Sequence, residues 1–122
     1  MKPQEERKCF SIQKVRAWGA NIDEAMPRCL NNETFYLTLV GKALQDSSFE
    51  KLRDAVQAGD LDTAFDAAHS LKGMMLNLSL TPLSIPVEKM TELLRARTDT
   101  DYAPLLAEIA AQRESLQKLA ED

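Results

Sequence analysis

The chain has 122 residues, 44% of them hydrophobic and 28% charged, which suits one globular domain with one core and lies outside the composition of disordered chains. Its net charge of -4 sets up no cationic field for nucleic acid or anionic lipid, and no local basic cluster makes up for it. With no cleavable amino-terminal signal and no run of about 18 apolar residues, a cytoplasmic protein is expected rather than a secreted or membrane-spanning one. Cys9 and Cys29 are far apart and have no histidine or CxxC companions, so they are expected to be reduced, packed thiols without a zinc or redox role.

Between four glycines and five prolines the apolar residues recur at spacings of three and four, which predicts an all-helical chain. Residues 11–30, with Val15, Trp18, Ile22 and Met26 as the apolar positions, are interrupted at Gly19-Ala20-Asn21 and at Met26-Pro27 and read as two short accessory helices. Asn31-Asn32 is a capping pair for the segment ETFYLTLVGKAL, whose stripe is Phe35, Leu39 and Leu44 with Tyr36 and Val40 beside it. The next helix starts near Asp46-Ser47-Ser48, uses Phe49, Leu52 and Val56, and stops at Gly59, where glycine suits a left-handed cap. Asp60 then caps a helix over 61 to about 78. Proline is tolerated only in a first turn, so the 79–86 stretch with Pro82 and Pro86 is read as the lead-in to a helix over about 84–97, with Val87, Met90 and Leu94 inward. The last helix covers about 102–119, using Leu105, Ile109, Leu116 and Leu119. Short connections favour antiparallel neighbours, and the fold expected is an up-down antiparallel four-helix bundle over about 32–120, within a single domain of 1–122.

The helix over 61–78 contains the segment AHSLKGMMLNL. On a wheel of about 100° per residue, Leu61, Ala64, Phe65, Ala68, Leu71, Met75 and Leu78 share the core-facing arc, and His69, the chain's only histidine, lies roughly 115° from its centre, at the border with solvent. Gly73 falls outward, where no crowding requires it, at a cost of about 1 kcal/mol relative to alanine. An absent side chain at i+4 opens the space beside the imidazole to another protein or a tetrahedral group. Lys72, at i+3, can reach a negative group on that ring. Leu76 and Leu80 are expected to add outward apolar surface, with Asp66 on the other side of His69, as a docking patch. Taken singly, each has a plainer reading: an incidental histidine, a solvated lysine, a drifted glycine, leucines packed under a loop. Their coincidence on one turn is what carries information.

At these residues the chain resembles the histidine-containing phosphotransfer (Hpt) family of two-component phosphorelays. His69-Ser70-Leu71-Lys72-Gly73 with Asn77-Leu78 matches the His-x-Leu-Lys-Gly signature, residues 55–61 are similar to the usual lead-in, and 77–83 are similar to the exit of small bacterial members. The resemblance extends over roughly 32–120. It departs from the family at Ser79, where glycine is usual, at Pro86, where many members have an apolar helical residue, and at Thr91, whose place is often acidic. The resemblance implies a phosphocarrier, not an enzyme with a kinase site. His69 would be the phosphoacceptor, with Lys72 neutralising phosphoryl oxygens and Gly73 admitting the partner. No cofactor of its own is implied, since Mg²⁺ would come from a response-regulator receiver domain. Such receivers and a hybrid sensor histidine kinase would be the partners, with no nucleic acid or membrane involved. Met1 and the self-contained bundle suggest a stand-alone chain, and the absence of a long heptad seam suggests a monomer. Two other classes remain at this point: a metal site built on the D-x-x-H of Asp66 and His69, and a helical adaptor that binds receivers without accepting phosphate.

Overall fold

The computed structural model describes residues 11–120. All of the regular structure there is helical: α1 (Ile12–Trp18), α2 (Ile22–Ala25) running into a 3-10 turn (Met26–Cys29), α3 (Glu33–Leu44), α4 (Ser48–Gln57), α5 (Leu61–Asn77), α6 (Thr81–Arg95) and α7 (Ala103–Leu119). Successive helices α4 to α7 pack side by side, α3 lies against α7, and the accessory pieces join it through α1 on α7 and the 3-10 turn on α3. The result is the expected helical bundle. The thiol of Cys29 is free and buried, and Cys9 lies outside the described residues. No described helix is long and apolar enough to cross a membrane.

Most helix starts follow from side-chain caps. Ser11, Asn21, Asn32 and Asp60 each accept a hydrogen bond from the backbone N–H three residues on, relieving one of the unpaired donors that open any helix. The helix ends repeat one device. After α4, α5 and α6 the chain turns in a paired bond pattern: Asp60 N–H to Ala55 O with Gly59 N–H to Val56 O, Leu80 to Met75 with Ser79 to Leu76, and Thr98 to Leu93 with Arg97 to Leu94. That pattern needs a left-handed residue at its corner, and φ is +74° at Gly59, 54° at Ser79 and 53° at Arg97. Only the first corner has glycine, so only the first end was legible as such from the sequence.

Three expectations are corrected. The helix α6 begins at Thr81, not near 84, and ends at Arg95 rather than 97. Pro82 occupies its first turn, while Pro86 sits inside it and is buried. There the missing amide leaves the Pro82 carbonyl without its usual donor. Leu80 and Leu83 are fully buried, and this burial draws the strand of prolines into the helix. In α3 the inward residues are Tyr36, Val40, Ala43 and Leu44, whereas Phe35 is 43% exposed, so the stripe is rotated by about one residue from the one predicted. Pairing Phe35 with Leu44 in one stripe gave Tyr36 too little weight: its ring is buried and its hydroxyl donates to Leu78 O at 2.9 Å.

The accessory segment fixes the end of α5. Arg28 donates from Nε to Asn77 O at 2.9 Å and from Nη2 to Leu76 O at 3.2 Å and Ser79 Oγ at 2.8 Å. Ser79 Oγ in turn donates to Glu24 Oε1 at 2.5 Å, and Asn21 N–H bonds Ser79 O at 2.9 Å. A cation at exposed C-terminal carbonyls is favoured by the helix dipole. These bonds also account for a serine where glycine would be less strained: the hydroxyl gains partners that a glycine could not have. Gly19, by contrast, is required, since φ is +131° and an added Cβ would stand 2.6 Å from Cγ of Pro82.

Candidate functional site

The middle of α5 presents His69 to solvent. Ala64, Ala67, Ala68, Leu71 and Met75 form its buried face, while His69, Ser70, Gly73 and Leu76 are exposed and Lys72 is half-buried. The predicted core arc was displaced on one side, because Ala67 is inside and Phe65 is only half-buried. Phe65 lies one turn before His69, and the two rings stack with centroids 5.7 Å apart and planes at 19°. This ring supports the imidazole from below and restricts its rotamers, a role that a core assignment for Phe65 concealed.

Gly73 leaves the opposite side open: a Cβ built there meets nothing within 4 Å. Leu76, the next turn along, is 41% exposed. Leu80, expected to extend that apolar surface, is 0% exposed, because the chain turns inward at Ser79, and it is therefore removed from the docking patch. Asp66 is exposed and lines a hollow of about 390 Å³ with Asp62, Phe65, Leu94, Arg95 and Arg97. Leu39, Met74 and Leu78 border a second hollow of about 210 Å³ on the Gly73 side of α5, next to exposed Phe35 on the preceding turn of α3.

Cations reach the site from both helices. The Nζ of Lys72 lies 4.0 Å from Oε2 of Glu92 on α6. Arg95, whose Nε is 3.4 Å from Oε1 of the same Glu92, stacks its guanidinium 5.1 Å above the Phe65 ring. Neither α6 residue was singled out from the sequence. Both lie inside the helix predicted over about 84–97, but only the crossing of the two helices brings Glu92 and Arg95 to α5. Thr91, the position often acidic in the family, is fully buried and donates its hydroxyl to Val87 O at 2.7 Å, so it does not reach the imidazole. Among the described residues, no three His, Cys, Asp or Glu side chains are grouped so as to hold a metal ion.

A family model described as Hpt domain matches residues 43–121, well over half of the chain. The chain belongs to the Hpt family. Hpt domains act in histidine phosphotransfer within phosphorelays, as phosphocarriers and not kinases, and they work with histidine kinases and response regulators. The match begins near the end of α3, so α1, α2 and most of α3 precede it. No individual curated protein and no solved structure matches the chain.

Proposed function

We propose that this Hpt chain relays a phosphoryl group through His69 between aspartates of response-regulator receiver domains, loaded in the first instance by a hybrid sensor kinase. The observation that carries the reading is an exposed imidazole held against a ring on one side, with open space at Gly73 on the other. In the transfer, Nε2 of neutral His69 attacks the phosphorus of an aspartyl phosphate, the N–P bond forms, the P–O bond breaks, and its electron pair stays on the departing carboxylate. The reverse step reloads an aspartate. Such chemistry asks mainly for position and charge compensation. Phe65 fixes the ring, Lys72 is within reach of the phosphoryl oxygens, and the gap at Gly73 lets a receiver close over the nitrogen. Mg²⁺ and the acceptor carboxylate belong to that receiver. Exposed Leu76 gives the receiver apolar contact area, and Asp66 borders the hollow on the far side.

The test is incubation with a phosphorylated receiver domain. Relay predicts acid-labile label on the wild-type chain and none on His69→Gln. Binding of the receiver without uptake of label on the wild type would instead support an adaptor.

A further inference from the structure

One carboxylate on α6 pairs with two cations near the His69 turn. Glu92 spans the seam between α6 and α5 to Lys72, Oε2 to Nζ 4.0 Å, and its other oxygen holds Nε of Arg95 at 3.4 Å. Lys72 stands one turn from His69 on the same helix, and the Arg95 guanidinium lies 5.1 Å from the centroid of Phe65, the ring that stacks on His69. The side chains of Glu92 and Arg95 are 61% and 52% exposed, and that of Lys72 26%. Pairs this open to water are weak enough to exchange for a stronger anion. A phosphoryl group on His69, with up to two negative charges, is such an anion.

We propose, resting on the relay reading above, that Glu92 is a positioning residue. It parks Lys72 and Arg95 beside His69 in the unphosphorylated chain, and its own charge limits how firmly the phosphoryl group is then held. On phosphorylation the two cations turn toward the new anion by side-chain rotation. Glu92 is left at the rim with its negative charge uncompensated, and the repulsion favours return of the phosphoryl group to an aspartate. A relay intermediate needs this balance, because a histidine that bound its phosphoryl group with both cations and no opposing carboxylate would load well and unload poorly.

The experiment loads the full chain with potassium phosphoramidate, a small donor that phosphorylates imidazole without a protein partner, and follows the second ionisation of the phosphoryl group by phosphorus NMR. The charged side chains around the site are Asp62, Asp66 and Lys72 on α5, Glu92 and Arg95 on α6, and Arg97 just after α6. In Glu92→Gln the ionisation should fall by about half a pH unit relative to wild type, about threefold in proton affinity. Glu92→Asp keeps the charge and should titrate with wild type, and the difference should shrink in about 0.5 M salt. With a receiver domain present, Glu92→Gln should shift the partition of label toward histidine by about threefold. Coincident titration curves for wild type and Glu92→Gln overturn the role of Glu92, whatever the receivers do. Separated curves with no passage of label from any receiver to His69 support the role of Glu92 and overturn the relay reading instead.

Discussion

Two single atoms show how little separates structure from function here. The Tyr36 hydroxyl, buried under α5, gives its hydrogen to the carbonyl of Leu78, the residue that ends that helix. Tyr36→Phe leaves the carbonyl without this donor, and urea denaturation should show a loss of about 1–2 kcal/mol. Burial, with a smaller contribution from Cys29, holds the phenol well above its ordinary pKa of 10.0. The folded chain therefore binds this proton more tightly than the unfolded one, and the stabilisation is complete below pH 10 and is lost as pH rises beyond it. Wild type should destabilise in that alkaline window more steeply than Tyr36→Phe, with Tyr102, raised in the same direction by burial beside Asp99, supplying what remains. The missing Cβ of Gly73 acts in the opposite sense. The space around it is empty, so Gly73→Ala should stabilise the helix by about 0.5–1 kcal/mol while slowing transfer from a phosphorylated receiver. Thermal melts and transfer kinetics on one preparation check both, and a variant both more stable and equally fast would remove the reason given for the glycine.

The helix ends are where elements are tied to one another. Arg28 caps the last carbonyls of α5 from an accessory segment that precedes the family match, so the amino-terminal pieces steady the helix that carries His69. Arg28→Ala should cost about 1–2 kcal/mol, because charged donors to backbone carbonyls are the stronger kind of hydrogen bond. It should also raise amide exchange at the Ser79 turn, whose bonds to Leu76 and Met75 it supports. Hydrogen-exchange mass spectrometry over 74–80 reads this directly. At the end of α6 the corner residue is Arg97, with φ 53° and an exposed ion pair to Asp62. That pair contributes little, and glycine would remove the left-handed strain, so Arg97→Gly should raise stability by about 0.5 kcal/mol.

Across the whole molecule, closure of the bundle depends on a polar clasp as well as on the core. Arg113 on α7 bonds Leu44 O with Nε and Nη2 at 3.0 and 2.6 Å, meets Glu50 at 2.8 Å, and stacks over Phe49 at 4.2 Å, joining α7 to the ends of α3 and α4. The hydrogen bond from Arg113 holds the Glu50 carboxyl below its ordinary value of 4.5, and Asp60 is lowered in the same direction by its cap bonds to Thr63. Groups with depressed folded pKa values stabilise above the ordinary carboxylate range, and their contribution is lost as pH falls through the lowered values. Stability should thus fall below about pH 4.5. Glu50→Gln should fall less steeply there, and melts between pH 6 and about 3 would show the two curves converging at the acid end.

The sequence by itself determined the helical class, the caps at Asn32 and Asp60, the Gly59 corner, and the turn on which His69, Lys72 and Gly73 stand together. These follow from periodicity and local backbone chemistry, which act within a few residues and need no partner. What only the tertiary structure decided is which way each surface faced. Leu80 went inside because the left-handed Ser79 redirects the chain, and Phe65 came half out to lie under His69. Thr81 to Pro86 became helix because burying Leu83 and Pro86 outweighs the missing amide. Glu92 and Arg95 joined the site from another helix across a seam that no spacing along the chain encodes. Local rules set the elements, but a side chain's partner depends on how helices cross, and that is settled by the packing of all of them at once.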